Sequence, residues 1–139
     1  MLDTRHGALD VRAGPDRAEV LVVDDDHDTL DSIAEVLDTA GFRVTATSSG
    51  QAALTRLARG YHPAAMLVDL RMPEMTGPEF LRACRADPAL AGIPAILTSC
   101  GFRSDFGVAD TGWFLQKPFG VEDLIDMIGE VLQSSPPPS

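Results

Sequence analysis

The amino-acid sequence predicts an α/β protein, a doubly wound five-stranded parallel sheet with helices on both faces. Two observations predict it. Short apolar runs rich in β-branched residues, Val20-Leu21-Val22-Val23 foremost, are continuous rather than alternating, as in strands buried on both faces. Amphipathic stretches at helical spacing stand between them, joined by short loops, so strand and helix alternate along the chain. Right-handed crossovers leave few topologies for such a chain, and the 2-1-3-4-5 strand order is one of them.

Residues 1–18 hold Gly7, Gly14, Pro15 and scattered charges with no sustained period, and read as a flexible leader. Strand 1 is Val20–Val23 and ends in Asp24-Asp25-Asp26. Leu30, Ile33, Ala34 and Leu37 then recur at helical spacing until Gly41. Phe42–Thr47 is the second strand. Ser48 or Ser49 can cap a helix carrying Ala53, Leu54, Leu57 and Ala58, closed by Gly60. Ala64–Val68 is the third strand, ending in a single aspartate, Asp69, and a loop that contains Pro73 and Gly77. Pro78 suits a first helical turn, Phe80, Leu81 and Cys84 form its apolar stripe, and Asp87-Pro88 ends it. Ile93–Ser99 is the fourth strand, introduced by Pro94. Gly101 to Asp110 has too few apolar residues for a solid helix. Trp113–Gln116 is the fifth strand, followed by Lys117-Pro118, and Val121, Leu124, Ile125, Ile128 and Leu132 mark a last amphipathic helix. Residues 134–139 are a Pro/Ser tail or the start of a linker.

Composition narrows the function. A length of 139 residues suffices for one domain with a sizeable core. The formal net charge of -10 disfavours direct contact with nucleic acid or an anionic membrane surface, and no apolar run reaches spanning length. Two cysteines, Cys84 and Cys100, stand far apart, which suits a reducing, cytoplasmic setting rather than a disulfide framework. There is no apolar signal region at the N-terminus, and no Ser-His-Asp order, GxGxxG or Walker sequence.

The chemistry concentrates at the carboxyl ends of the strands, where parallel sheets bind ligands. Taken alone, Asp69 is as readily a turn cap as a reacting group. In the 2-1-3-4-5 order, however, strands 1 and 3 are neighbours, so Asp24 and Asp25 lie beside Asp69. Carboxylates so placed invite a divalent cation, and an all-oxygen set favours Mg²⁺ or Mn²⁺ over Zn²⁺. Lys117 and the Thr98-Ser99 hydroxyls end strands 5 and 4 at the same crevice. Carboxylate nucleophile, hard metal, ammonium and hydroxyl are the parts phosphoryl transfer needs.

These residues carry a family resemblance. Val22-Val23-Asp24-Asp25, the run from Val68 through Asp69 to Gly77, Ile93-Pro94 to Ser99, and Lys117-Pro118-Phe119 occur in an order and spacing similar to a response-regulator receiver domain of two-component signalling. The likeness runs from about Glu19 to Leu132 and implies a flavodoxin-like, CheY-like fold over residues 19–133. It implies that Asp69 accepts a phosphoryl group from the phosphohistidine of a histidine kinase or histidine phosphotransfer protein. It implies Mg²⁺ as cofactor, held by Asp25 directly, Asp24 through water, Asp69, and the backbone carbonyl of Arg71, whose side chain lies at the rim. Lys117, whose bond to Pro118 is cis in the family, would pair with a phosphoryl oxygen. Ser99, preferred to Thr98 on its spacing from Pro94, and Phe114 fall at the switch positions. The chain would then be a signalling switch that catalyses only its own phosphorylation and dephosphorylation, and not a metabolic enzyme. The stretch from Cys100 to Gln116 is about one turn shorter than the family's, so the fourth helix is expected to be short or irregular.

Bland readings stand beside these. Cys100 follows the switch serine and could hinder access to the phosphoryl group; the preferred reading is a buried apolar thiol. Asp26 and Asp28 suit helix capping better than metal binding. His6, His27 and His62 read as structural or solvated, Met66 as core and Trp113 as packing. Two other functions compete: a phosphorylation-independent receiver-like scaffold, and a haloacid-dehalogenase-like phosphatase. The latter would place its nucleophile on strand 1 and need room for a cap domain.

Overall fold

The computed structural model describes residues 17–100 and 113–134. The apolar runs form β1 (Glu19–Val23), β2 (Arg43–Thr47), β3 (Ala65–Asp69), β4 (Ala95–Ser99) and β5 (Phe114–Gln116). All pair in parallel, in the order β2-β1-β3-β4-β5. Between and after them lie α1 (His27–Thr39), α2 (Gly50–Ala58), α3 (Gly77–Arg85) and α4 (Val121–Ser134). The fold is the predicted flavodoxin-like one.

Side chains alternate across each strand, so the sheet has two apolar faces. Leu21, Val23, Met66, Val68 and Leu97 face α2 and α3, packing with Leu57, Phe80 and Leu81. Val20, Val22, Leu67 and Ile96 face the other way, against Leu30, Ile33 and Leu37 of α1 and Leu124 and Ile128 of α4. β3 and β4 are buried at every position. That burial explains why the sequence shows continuous apolar runs rather than alternation.

Helix ends follow local chemistry. Asp26 caps α1 by accepting from the Thr29 N–H and hydroxyl. Ser49, not Ser48, caps α2 through the Ala52 N–H. Thr76 and Glu79 form a reciprocal capping box on α3, a Thr-x-x-Glu signal present in the sequence. α1 and α2 both close in Schellman geometry, with Gly41 at φ 102° and Gly60 at φ 100°. Phe42 N–H bonds the Leu37 carbonyl, and Tyr61 N–H the Arg56 carbonyl. The positive φ is why glycine stands at both positions.

Several boundaries move. β3 reaches one residue further than expected and includes Asp69 itself. β2 and β5 each begin one residue later than expected, at Arg43 and Phe114. β4 begins only at Ala95, because Ile93 N–H turns back to the Leu90 carbonyl and Pro94 has no N–H. α3 ends at Arg85, ahead of Asp87-Pro88. Asp28 lies in the first turn of α1 and is not its cap. The flexible leader expected over residues 1–18 (but for Arg17 and Ala18), the short fourth helix expected between 101 and 112, the tail beyond Ser134, which itself ends α4, and His6 fall outside the described residues.

One glycine is required by close approach. A Cβ on Gly77 would stand 2.7 Å from the Asp69 carbonyl oxygen and 3.0 Å from the Leu70 Cα. Both are backbone atoms that cannot rotate away. Gly77→Ala is therefore expected to cost about 2–3 kcal/mol, read from the urea midpoint at unchanged m-value. Gly92→Ala, whose Cβ would meet nothing within 4 Å, is the control. It should change stability by less than about 0.5 kcal/mol.

Candidate functional site

The site sits where the strand order reverses. β1 and β3 pair directly, Val23 opposite Val68, so the residues that follow each strand emerge side by side. Asp24, Asp25 and Asp69 each bring a carboxylate oxygen within 4.8 Å of the others. Asp24 and Asp69 are buried and Asp25 is exposed. Lys117 Nζ, arriving from the end of β5, bonds Asp24 Oδ2 at 2.9 Å and Asp69 Oδ1 at 3.4 Å. The crevice thus holds its own fixed cation, bridging two of the three acids. The other Asp24 oxygen accepts the Asp26 N–H at 3.0 Å. Both oxygens of this buried carboxylate are engaged, which is what makes its burial tolerable.

Charge and burial tune the groups. Burial pushes the Asp69 carboxyl up to about 6, the negative charge of Asp24 pushes the same way, and Lys117 only partly offsets them. Burial lowers Lys117, but its bond to Asp24 and the charges of Asp69 and Asp24 outweigh that and leave it raised. Asp26, at the rim, is held low by its bonds from Thr29. Asp69 therefore ionises within the ordinary pH range as a comparatively basic carboxylate. Lys117 stays an ammonium.

The loop after Asp69 is closely tied. Leu70 N–H bonds the Thr98 carbonyl at 2.8 Å, and Gly77 N–H returns to the Leu70 carbonyl at 2.9 Å. At its tip, Met75 N–H bonds the Pro73 carbonyl across Glu74, which has φ 69°. That is a γ-turn of the rarer hand on a non-glycine residue, a conformation costing about 1–3 kcal/mol unless its surroundings impose it. Met72 is buried, and Met75 lies against Gly50 at the start of α2. No local sequence signal marks Glu74 or Gly50 as part of this loop's support.

The remaining candidates are placed as follows. Ser99 is buried at the end of β4, one residue beyond Thr98, which pairs with Asp69; its carbonyl accepts the Lys117 N–H at 2.8 Å. The Lys117–Pro118 bond is cis. Phe114 is half-buried on the α2/α3 side of the sheet, opposite Leu97 in register. Arg71 is exposed in the loop two residues past Asp69. Cys100 corrects the expectation of a buried thiol: it is exposed, because β4 ends at Ser99 and the next residue has left the sheet. Cys84, in contrast, is buried in the core, where burial pushes its thiol up to about 11. His27 is exposed and His62 bonds the Ala89 carbonyl; neither lies in the acidic cluster. Met66 is core and Trp113 packs just ahead of β5, as expected.

Comparison with known proteins agrees with this geometry. The family profile of the response regulator receiver domain matches residues 20–129. The polar-differentiation response regulator DivK of Brucella ovis is 29% identical over 117 residues, covering 81% of this chain and 94% of its own. The solved structure of the chemotaxis response regulator CheY4 of Vibrio cholerae is similar at a TM-score of 0.75 and 28% identity, covering 83% of this chain and 98% of that one. A sensor protein from Polaromonas sp. JS666 is similar at a TM-score of 0.78 and 26% identity, covering 86% of this chain and 98% of its own. The profile spans Asp24, Asp25, Asp69 and Lys117 and every described strand but the first residue of β1, and the chain belongs to the response regulator receiver domain family of two-component signalling.

Proposed function

We propose that this receiver domain is a phosphoacceptor switch of a two-component phosphorelay, in which Asp69 takes a phosphoryl group from a phosphohistidine with Mg²⁺ as cofactor. One observation carries the reading: three carboxylates with oxygens within 4.8 Å at the switch point, two of them bridged by Lys117. The donor set is all oxygen, which suits a small hard cation. Asp25, exposed at the mouth, would be a direct ligand with Asp69 and the Arg71 carbonyl. Asp24, with both oxygens engaged, would act through water. When bound, Mg²⁺ offsets charge on the phosphoryl oxygens.

The steps belong to the chain's own groups. An ionised Asp69 oxygen attacks phosphorus; the O–P bond forms as the P–N bond breaks, and the electron pair returns to the imidazole nitrogen of the donor. Lys117 pairs with one phosphoryl oxygen in place of its bond to Asp69, keeping Asp24 as its anchor. The Ser99 hydroxyl donates to another. Charge on the acceptor becomes about −2 where it had been −1. Ser99 and Phe114, on adjacent strands, then relay the change to the partner-binding surface. The partner upstream is a histidine kinase or histidine phosphotransfer protein, in the cytoplasm. Among the described residues no helix is long and apolar enough to cross a membrane. Asp24 is the more constrained of the two acids, with a bond to each of its oxygens.

Incubation with a small-molecule phosphodonor and Mg²⁺ should add one phosphoryl group by mass, lost in Asp69→Asn and on chelation. Steady hydrolysis of a generic phosphomonoester, lost in Asp24→Asn but kept in Asp69→Asn, would overturn the proposal in favour of a phosphatase. No labelling by donor or kinase would favour a scaffold.

The raised Asp69 carboxyl sets a pH dependence. Its folded value of about 6 exceeds the ordinary 3.8, so the folded chain binds the extra proton between these values and stability falls as pH rises through that window. Above it the buried charge costs about 1–2 kcal/mol, allowing for screening at the open crevice. Without metal, Asp69→Asn should gain that amount at about pH 7.5 and nothing below about pH 4, measured by urea unfolding. Lys117→Ala strands the buried Asp24 carboxylate. It is expected to lose about 2–4 kcal/mol near pH 7 and to abolish accumulation of the phosphorylated form.

A further inference from the structure

The two halves of the carboxylate cluster share one footing. On one side, Asp24 N–H bonds the carbonyl of Thr47, the last residue of β2. On the other, the loop after Asp69 rests on Gly50, three residues further along, where α2 begins. The contact is close along the whole side chain. From the position a Gly50 Cβ would take, Met75 Sδ is 2.8 Å away, Cγ 3.2 Å and Cβ 3.4 Å. A side chain at position 50 would displace the Met75 thioether from this seat. Ser49, between the two attachments, caps α2 and fixes its first turn.

The loop needs such a seat. Its ends are tied by the Leu70–Thr98 and Gly77–Leu70 bonds, and its tip holds Glu74 at positive φ in the turn closed by the Met75–Pro73 bond. Met72 is buried beneath the loop, and Met75 lies against Gly50 at the start of α2. We infer that Met75, seated on Gly50, is a positioning residue of the acceptor site: with the Thr47–Asp24 bond, it sets how far the Asp69–Arg71 segment stands from Asp24 and Asp25. The inference rests on the phosphoacceptor reading above for its consequence, and on packing alone for its geometry.

The test uses the full chain and two readouts. The first is backbone amide exchange at Leu70 and Gly77 in metal-free protein; the second is the Mg²⁺ dissociation constant by calorimetry. Gly50→Ala and Met75→Ala should each speed exchange at both amides and weaken Mg²⁺ binding about 5–10-fold, as loss of groups that orient metal ligands does. Both variants unseat the same side chain, so the double variant should be no weaker than the worse single. Met75→Leu, which keeps length and apolar character, should stay within about twofold of wild type and tests the inference even if the alanine variants fold poorly. Leu37→Ala, in the core on the opposite face of the sheet, should lower the thermal midpoint without changing Mg²⁺ affinity. Unchanged amide exchange in both single variants, or additive losses in the double, would overturn the inference. If wild-type protein bound no Mg²⁺, the phosphoacceptor reading would fail, while amide exchange would still decide whether Met75 holds the loop.

Discussion

The carboxyl edge of this sheet is governed by the pairing of one ammonium with two buried carboxylates. Asp24 and Asp69 are drawn from water by the packing of β1 and β3, and each ionised form would be costly there alone. Lys117 makes the arrangement possible by touching both. It does not satisfy them equally. Asp24 has the shorter bond and a backbone N–H besides, whereas Asp69 is left with a raised carboxyl. That inequality separates an anchored acid from a more basic one. In the proposed reaction Lys117 can turn to an incoming phosphoryl group without leaving Asp24 unpaired.

The scaffold makes this inequality reproducible. The paired register fixes the carboxyl edge, with Val23 opposite Val68 and Asp69 opposite Thr98. β1 beside β3 and β4 beside β5 then bring Asp24, Asp69, Ser99 and Lys117 to one edge. Backbone bonds cross-link that edge beyond the strands: Leu70 to Thr98, Lys117 to Ser99, Asp24 to Thr47. Asp24, Asp69, Ser99 and Lys117 stand on strand ends or one residue past them, where the sheet sets the backbone. The loop that does matter, after Asp69, is tied at both ends and packed at its tip.

Charge is unevenly spread around the same frame. The exposed positions of α1 and α4 carry acids such as Asp31, Glu35, Glu122 and Asp126, while α2 and α3 carry Arg56, Arg82 and Arg85. Much of the net charge of -10 thus lies on one side of the sheet.

The sequence by itself determined the element order, the parallel sheet and the candidate site groups. Continuous apolar runs, helical spacing and terminal aspartates are local features, and they bring Asp24, Asp25, Asp69, Lys117 and the Thr98-Ser99 hydroxyls to one edge once the strand order is drawn. Cys100 was misjudged because an apolar thiol beside a buried serine looks like core until the strand is seen to end at Ser99. Only the tertiary structure decided which acid Lys117 holds more closely, why Gly77 lacks a side chain, and that Met75 rests on Gly50. Each of these depends on atoms brought together from distant parts of the chain. No residue pattern encodes a separation of 2.7 Å between a would-be Cβ and a carbonyl oxygen. Local chemistry names the groups at the site; packing between segments sets their distances, and through those distances their charge states.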